Sequence, residues 1–204
     1  MTVDSIAPLR GFVEAMTRLV SGSDDEGQLL AEGRRLLARL IAEDSWLPPA
    51  CAVPRHDRYA QYLLHCDPLE RFSVVSFVWG PGHATPVHDH TVWGLVGVLR
   101  GAEGCEEFHL DQGRPVPSGR QHVMQVGAIE AVSPTVGDWH RVCHAGGDQP
   151  AVSIHVYGAN IGAVRRHRLD AQGMVCDFVS GYDNTTVPNL WDRSGAQRTL
   201  PPPC

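Results

Sequence analysis

The stretch Gly82-His83-Ala84-Thr85-Pro86-Val87-His88-Asp89-His90-Thr91-Val92-Trp93-Gly94, followed by a hydrophobic run ending at Arg100-Gly101, decides how the chain is read. In extended backbone, residues two apart project to the same side. His88 and His90 can therefore bring both imidazoles to one metal ion, while Asp89 points away and is not counted as a ligand. A partner lies downstream in Gly137-Asp138-Trp139-His140. With its glycines, the first segment is G-x5-H-x-H-x3-G-x6-G, from Gly82 to Gly101. The second is G-x6-P-x2-G-x2-H-x3-H, from Gly127 through Pro134, Gly137 and His140 to His144. An isolated H-x-H pair is ordinarily a pair of hydrogen-bonding histidines, and glycines alone only mark turns. A third histidine in a second segment shifts the reading to metal binding by His88, His90 and His140. His144 is read as structural.

Outward from this centre, the pattern is one of short strands. Arg71 to Trp79 is rich in β-branched and aromatic residues and stops at Gly80-Pro81-Gly82. Further strands are expected at Val92 to Leu99, Glu106 to Leu110, His122 to Val126, Ile129 to Val132, His140 to Cys143, Ala151 to Tyr157 and Ala163 to Leu169. Separated by Gly, Pro, Asp and Ser, they predict an all-β barrel or jelly roll. A short helix is expected around His56 to Leu64. Residues 1–45 read as two helices packed on the barrel: Ile6, Leu9, Val13, Met16 and Val20 recur at helical spacing, as do Leu29, Leu30, Leu36, Leu37, Leu40 and Ile41. Ser23-Asp24-Asp25-Glu26 has the form of a capping box for the second helix. Residues 46–190 then form the barrel and 191–204 a loosely held tail, all within one structural domain.

The totals exclude several function classes. A chain of 204 residues holds one good-sized core, and a net charge of −6 without a basic cluster argues against nucleic acid or anionic membrane as partner. No apolar run approaches the roughly 20 residues needed to span a bilayer, and the N-terminus has no secretory pattern, so a cytoplasmic location is expected. Six cysteines without a CxxC pair read as reduced thiols. Nothing in the sequence sets an oligomeric state.

Ala151 to Tyr157 alternates strictly, with Ser153, His155 and Tyr157 on one face and Val152, Ile154 and Val156 on the other. Inside a small barrel, such a polar row can form a hydrogen-bond relay ending in a phenol. Residue type does not choose the metal, since imidazole suits zinc, nickel, copper, manganese and iron.

The two histidine segments resemble the motifs of the cupin superfamily, where a glutamate usually stands at the place of Gly94. Without that carboxylate, three neutral imidazoles leave a divalent ion its full charge and favour an anionic ligand. A narrower resemblance covers residues 56 to 170. His88-Asp89-His90, the run Trp93 to Gly101, the Ser153/His155/Tyr157 strand and the following Gly158 to Arg166 are together similar to the bacterial cysteine dioxygenase-type thiol dioxygenases. The resemblance implies a mainly β cupin jelly-roll barrel with an N-terminal helical flank. It also implies Fe(2+) held by His88, His90 and His140, a relay of Ser153, His155 and Tyr157, and conversion of a small thiol carboxylate with O2 into a sulfinate. Mammalian-type members carry a cross-linked cysteine where this chain has Gly94, and a carboxylate-binding arginine where it has Gln61. Both departures resemble the branch acting on 3-mercaptopropionate, in which an arginine matching Arg166 holds the carboxylate; cysteine is a secondary candidate. Alternation along the strand sends Arg165 the other way. Competing readings are another metal cupin, such as a flavonol or diketone dioxygenase or an isomerase, and a non-enzymatic cupin that binds a small anion. The first of these needs no Ser-His-Tyr row; a sensor normally carries a DNA-binding or signalling module that residues 1–45 do not resemble.

Overall fold

A computed structural model describes residues 6–184. Two helices, α1 (Ala7–Gly22) and α2 (Glu26–Leu40), precede ten strands: β1 (Ala60–Cys66), β2 (Ser73–Trp79), β3 (Gly94–Arg100), β4 (Ala102–Asp111), β5 (Arg114–Gln125), β6 (Ile129–Val132), β7 (His140–His144), β8 (Ala151–Tyr157), β9 (Arg166–Leu169) and β10 (Val175–Phe178). One sheet has the order β1-β2-β8-β3-β6; facing it are β5-β4-β7 and the pair β10-β9, every pairing antiparallel. Residues around His88 bridge both β7, at His140, and β9, at Arg168, so the H-x-H segment links the two smaller ladders.

Alternation divides the large sheet into two working faces. Val152, Ile154 and Val156 of β8, Val74 and Val78 of β2, and Leu95 and Leu99 of β3 form one core with Leu9, Phe12 and Met16 of α1 and Leu37 and Leu40 of α2. Each such side chain contributes about 1.5–3 kcal/mol on full burial, which fastens the helices to the outer face of the sheet. A Cβ on Gly97 would lie 2.9 Å from Ile41 Cδ1 and 3.1 Å from Leu37 Cδ2, so this glycine is what lets the helical layer come so close. The opposite face carries Val75, Phe77, Trp79 and Tyr157 into the barrel interior.

The mainly β architecture with its helical flank is as expected, and several local expectations are corrected. The region expected to be helical, His56 to Leu64, instead enters β1, paired in register from Ala60 with Val78 onward. The capping box is not formed as such. Asp25 is the N-cap and accepts from Gln28 N at 2.6 Å, while Ser23 Oγ accepts from Asp25 N. Glu26 reaches away to Ser133 and Thr135. β4 and β5 are longer than expected, Ala163 to Arg165 lies outside β9, and β10 was not anticipated. Cys51, Cys66, Cys105 and Cys143 are free thiols, whereas Cys176 departs from expectation and is disulfide-bonded. The expected tail at 191–204 lies outside the described residues. Among those residues, no helix is long and apolar enough to cross a membrane.

Candidate metal centre

Backbone pairing builds the three-histidine cluster. His88 and His140 exchange N–H···O bonds of 3.0 Å, so the H-x-H segment and β7 are locked side by side. His90 follows two residues on, just before Thr91 turns the chain with φ +61°. Asp138 holds that turn: Oδ1 accepts from His90 N at 2.9 Å and Oδ2 from Thr91 N at 2.9 Å.

Each ring is also gripped at Nδ1. His88 Nδ1 lies 3.1 Å from Pro86 O, His90 Nδ1 lies 2.8 Å from Asp138 Oδ1, and His140 Nδ1 lies 3.7 Å from Cys105 Sγ. With Nδ1 engaged outside the cluster, Nε2 is the nitrogen left to face inward, which is how metal-binding histidines are oriented. The ring centroids are 4.8–5.0 Å apart, and one ligand atom from each falls within 4.8 Å of the others. All three imidazoles are buried. Burial first, then neighbouring positive charge, holds His88 and His90 well below the ordinary histidine range; burial lowers His140 to about 4. They are neutral near pH 7, the form that binds metal. This donor set fits a divalent cation. Asp89, as expected, faces away and pairs with His167 Nδ1 at 2.7 Å.

On β8 the relay is continuous. Ser153 Oγ lies 2.7 Å from His155 Nε2, and His155 Nδ1 lies 2.7 Å from Tyr157 Oη. Trp79 Nε1–H donates to Ser153 Oγ at 3.2 Å, and Phe77 stacks on His155 at 4.1 Å. Tyr157 in turn stacks on His90 at 5.4 Å. Burial raises the Tyr157 phenol and lowers His155, so both are neutral near pH 7. A Cβ on Gly94 would lie 2.7 Å from Tyr157 Cδ1 and 3.0 Å from Cε1, so Gly94 stands directly against the phenol ring.

The three histidines, Tyr157, Gln61 and Arg166 line one small cavity of about 30 Å³, room for roughly two waters. Arg166 is 3% exposed and has no ion-pair partner among the described residues. One N–H donates to Ser180 Oγ at 2.7 Å, Nε–H has no acceptor, and the guanidinium lies 4.6 Å over Phe178. Arg165 is exposed and pairs with Asp177, which matches the expected alternation. Gln61 reaches the cavity, but its amide N–H groups are engaged with Ser180 Oγ at 2.9 Å and Gly181 O at 2.8 Å. It therefore steadies the loop that holds Arg166.

Sequence reasoning missed Asp138, Cys105 and Glu103. Burial, with Glu130 and Glu107 nearby, pushes the Cys105 thiol up to about 12, so the group behind His140 is a neutral thiol. Glu103 is fully buried, with Ser153 and Trp79 close beside its carboxyl group. Burial raises it to about 7, above the unfolded carboxyl value. The folded chain thus retains a proton that the unfolded chain releases, so stability is full at low pH and falls as pH rises through about 7. Glu103→Gln removes that loss. The variant is expected to be more stable than the parent by roughly 2–3 kcal/mol at about pH 8, with the difference vanishing near about pH 4.5. Urea midpoints at the two pH values check this, and equal midpoints at the higher pH would refute it.

A family model described as cysteine dioxygenase type I matches residues 52–169. A curated relative, cysteine dioxygenase type 1 of Danio rerio, is 26% identical over 129 residues, which is 61% of this chain and 59% of the relative. The chain therefore spans less than two thirds of that protein's length. Among solved structures, a double-stranded β-helix protein from Klebsiella pneumoniae is 17% identical, with a TM-score of 0.45 over 56% of this chain and 89% of that one. A cupin 2 conserved barrel domain protein from Rhodopseudomonas palustris is also 17% identical, with a TM-score of 0.43 over 59% and 75%.

Proposed function

The chain belongs to the cysteine dioxygenase type I family, and on that footing we propose that it is a non-haem iron(II) thiol dioxygenase preferring 3-mercaptopropionate, with cysteine as a possible second substrate. The overall change is R–SH + O2 → R–SO2H, both oxygen atoms ending on sulfur. One observation carries this reading: three neutral imidazoles and a buried guanidinium with no ion-pair partner among the described residues open onto the same small cavity. A ferrous ion held by His88, His90 and His140 supplies the positive charge that favours thiolate over thiol and the redox chemistry that dioxygen requires.

The remaining roles fall to the chain itself. Arg166 binds the substrate carboxylate with its free N–H donors, which orients the sulfur toward the histidine cluster. Tyr157 Oη–H, kept protonated by burial, donates a hydrogen bond where negative charge develops. His155 and Ser153 hold the phenol in that orientation. Trp79, Phe77 and Val142 keep the cavity walls dry. The preference for a thiol without an amine also has a physical basis. Among the described residues no Asp or Glu lines the cavity, so an ammonium group would lie beside Arg166 with no carboxylate to neutralise it.

Anaerobic reconstitution with ferrous iron, followed by oxygen uptake and sulfinate detection, tests the reading. Oxygen consumption and the matching sulfinate are expected with 3-mercaptopropionate, at a higher kcat/KM than with cysteine. Absence of uptake with both thiols would remove the dioxygenase assignment. Equal or better turnover of cysteine would remove only the substrate preference.

A further inference from the structure

Among the described residues, one other group of metal-ligating side chains is drawn together. The ligand atoms of Cys105, His122 and Glu130 all lie within 4.8 Å of one another. Cys105 on β4 and His122 on β5 are direct cross-strand partners, so the ladder sends both side chains from the same face. Glu130 on β6 approaches from the other sheet and contacts His122 Nε2. The setting is anionic: Glu107 lies 4.0 Å from His122 Nδ1, and the nearby arginines are engaged elsewhere, Arg120 with Glu107 and Arg141 with Glu106. Two surface cavities lead to the group, one of about 270 Å³ beside Cys105 and His122 and one of about 390 Å³ beside His122 and Glu130.

We propose that Cys105, His122 and Glu130 form a second metal site, separate from the three-histidine centre, which takes a thiophilic divalent cation such as zinc. Sulfur, imidazole nitrogen and carboxylate oxygen together are a zinc donor set, and three protein ligands leave a fourth position for water. A tetrahedral site needs ligand atoms roughly 3.5 Å apart. His122 and Glu130, each about one-third exposed, have the freedom to rotate inward, while Cys105 is fixed in the ladder. Zinc on this group exchanges the His122–Glu130 contact and the Cys105 S–H bond for three bonds to the ion, and the thiol proton passes to solvent. Because Cys105 Sγ is also 3.7 Å from His140 Nδ1, the two sites are separated by a single imidazole. A cation bound at Cys105 therefore sits directly behind a ligand of the first centre.

Metal counting tests this without reference to turnover. Equilibrium dialysis of the full chain against zinc is expected to give two equivalents per chain in the parent, and one in Cys105→Ser and in His122→Ala. His122→Ala alters a partly exposed ladder position and leaves the core intact, so a folding defect cannot account for both losses. With cobalt(II) as the probe, the second equivalent brings a thiolate-to-cobalt charge-transfer absorption, which three imidazoles alone cannot give. That absorption is expected to vanish in Cys105→Ser and to persist in Cys143→Ser. A single equivalent in the parent, absence of the sulfur absorption, or a second equivalent that survives either ligand substitution overturns the proposal.

Discussion

His90→Ala is expected to lose tight divalent-metal binding and to lower kcat/KM for 3-mercaptopropionate by roughly a thousandfold or more. A bound metal supplies several kcal/mol of charge stabilisation, and each 1.36 kcal/mol is a factor of ten in rate. His90 is 1% exposed, in contact with Tyr157 on one side and fixed by Asp138 on the other. Its removal leaves two imidazoles, one ligand short of the three-histidine set. Asp138→Asn makes a graded companion. The amide keeps one acceptor but presents N–H to Thr91 N–H or to His90, so one of the paired bonds is lost. Changes of this kind behind a ligand typically weaken metal affinity by about 10–100-fold. Metal content after dialysis against a graded chelator reads both variants. An alanine variant that retained one equivalent at parental affinity would dismiss the three-histidine assignment.

What was legible in the sequence, and what was not, follows from how local each signal is. The β8 row needed only period two: Ser153, His155 and Tyr157 share a face because the strand is straight, and their spacing already implied contact. Arg166, which is buried, and Arg165, which is not, part as expected, although Arg165 sits just before β9 and not within it. β1 was misread because Gln61, Tyr62 and His65 give it no clean alternation, and its strand character comes from pairing with β2. Glu106 to Leu110 reads as a strand, but nothing local singles out Glu103 or Cys105 for a role. β4 lies between β5 and β7, and this long-range placement is what buries Glu103 and puts Cys105 behind His140. Asp138 was quoted within its motif, but its grip on His90 depends on the left-handed turn at Thr91, which no spacing pattern encodes.

Arg166→Ala is expected to lower kcat/KM for 3-mercaptopropionate by about a thousandfold, chiefly through KM. Two charge-assisted hydrogen bonds at roughly 1.5–3 kcal/mol each give about 4 kcal/mol, or three decades. The loss falls on KM because the carboxylate is held alike in the ground state and the transition state. A structural explanation competes with this one, since Arg166 also packs over Phe178 and donates to Ser180. The neutral thiol 2-mercaptoethanol separates the two. It has no carboxylate, so the substitution should change its turnover by less than about threefold, and the parent's preference for the carboxylate thiol should collapse. Arg165→Ala, an exposed residue paired with Asp177, should leave both substrates within about twofold. Arg166→Lys restores charge without the planar fork and should recover only part of the affinity. Equal losses for the charged and neutral thiols would mean that Arg166 supports the cavity wall and that the carboxylate is held elsewhere. The selective loss would instead tie the one buried, ion-pair-free guanidinium among the described residues to the negative end of the substrate.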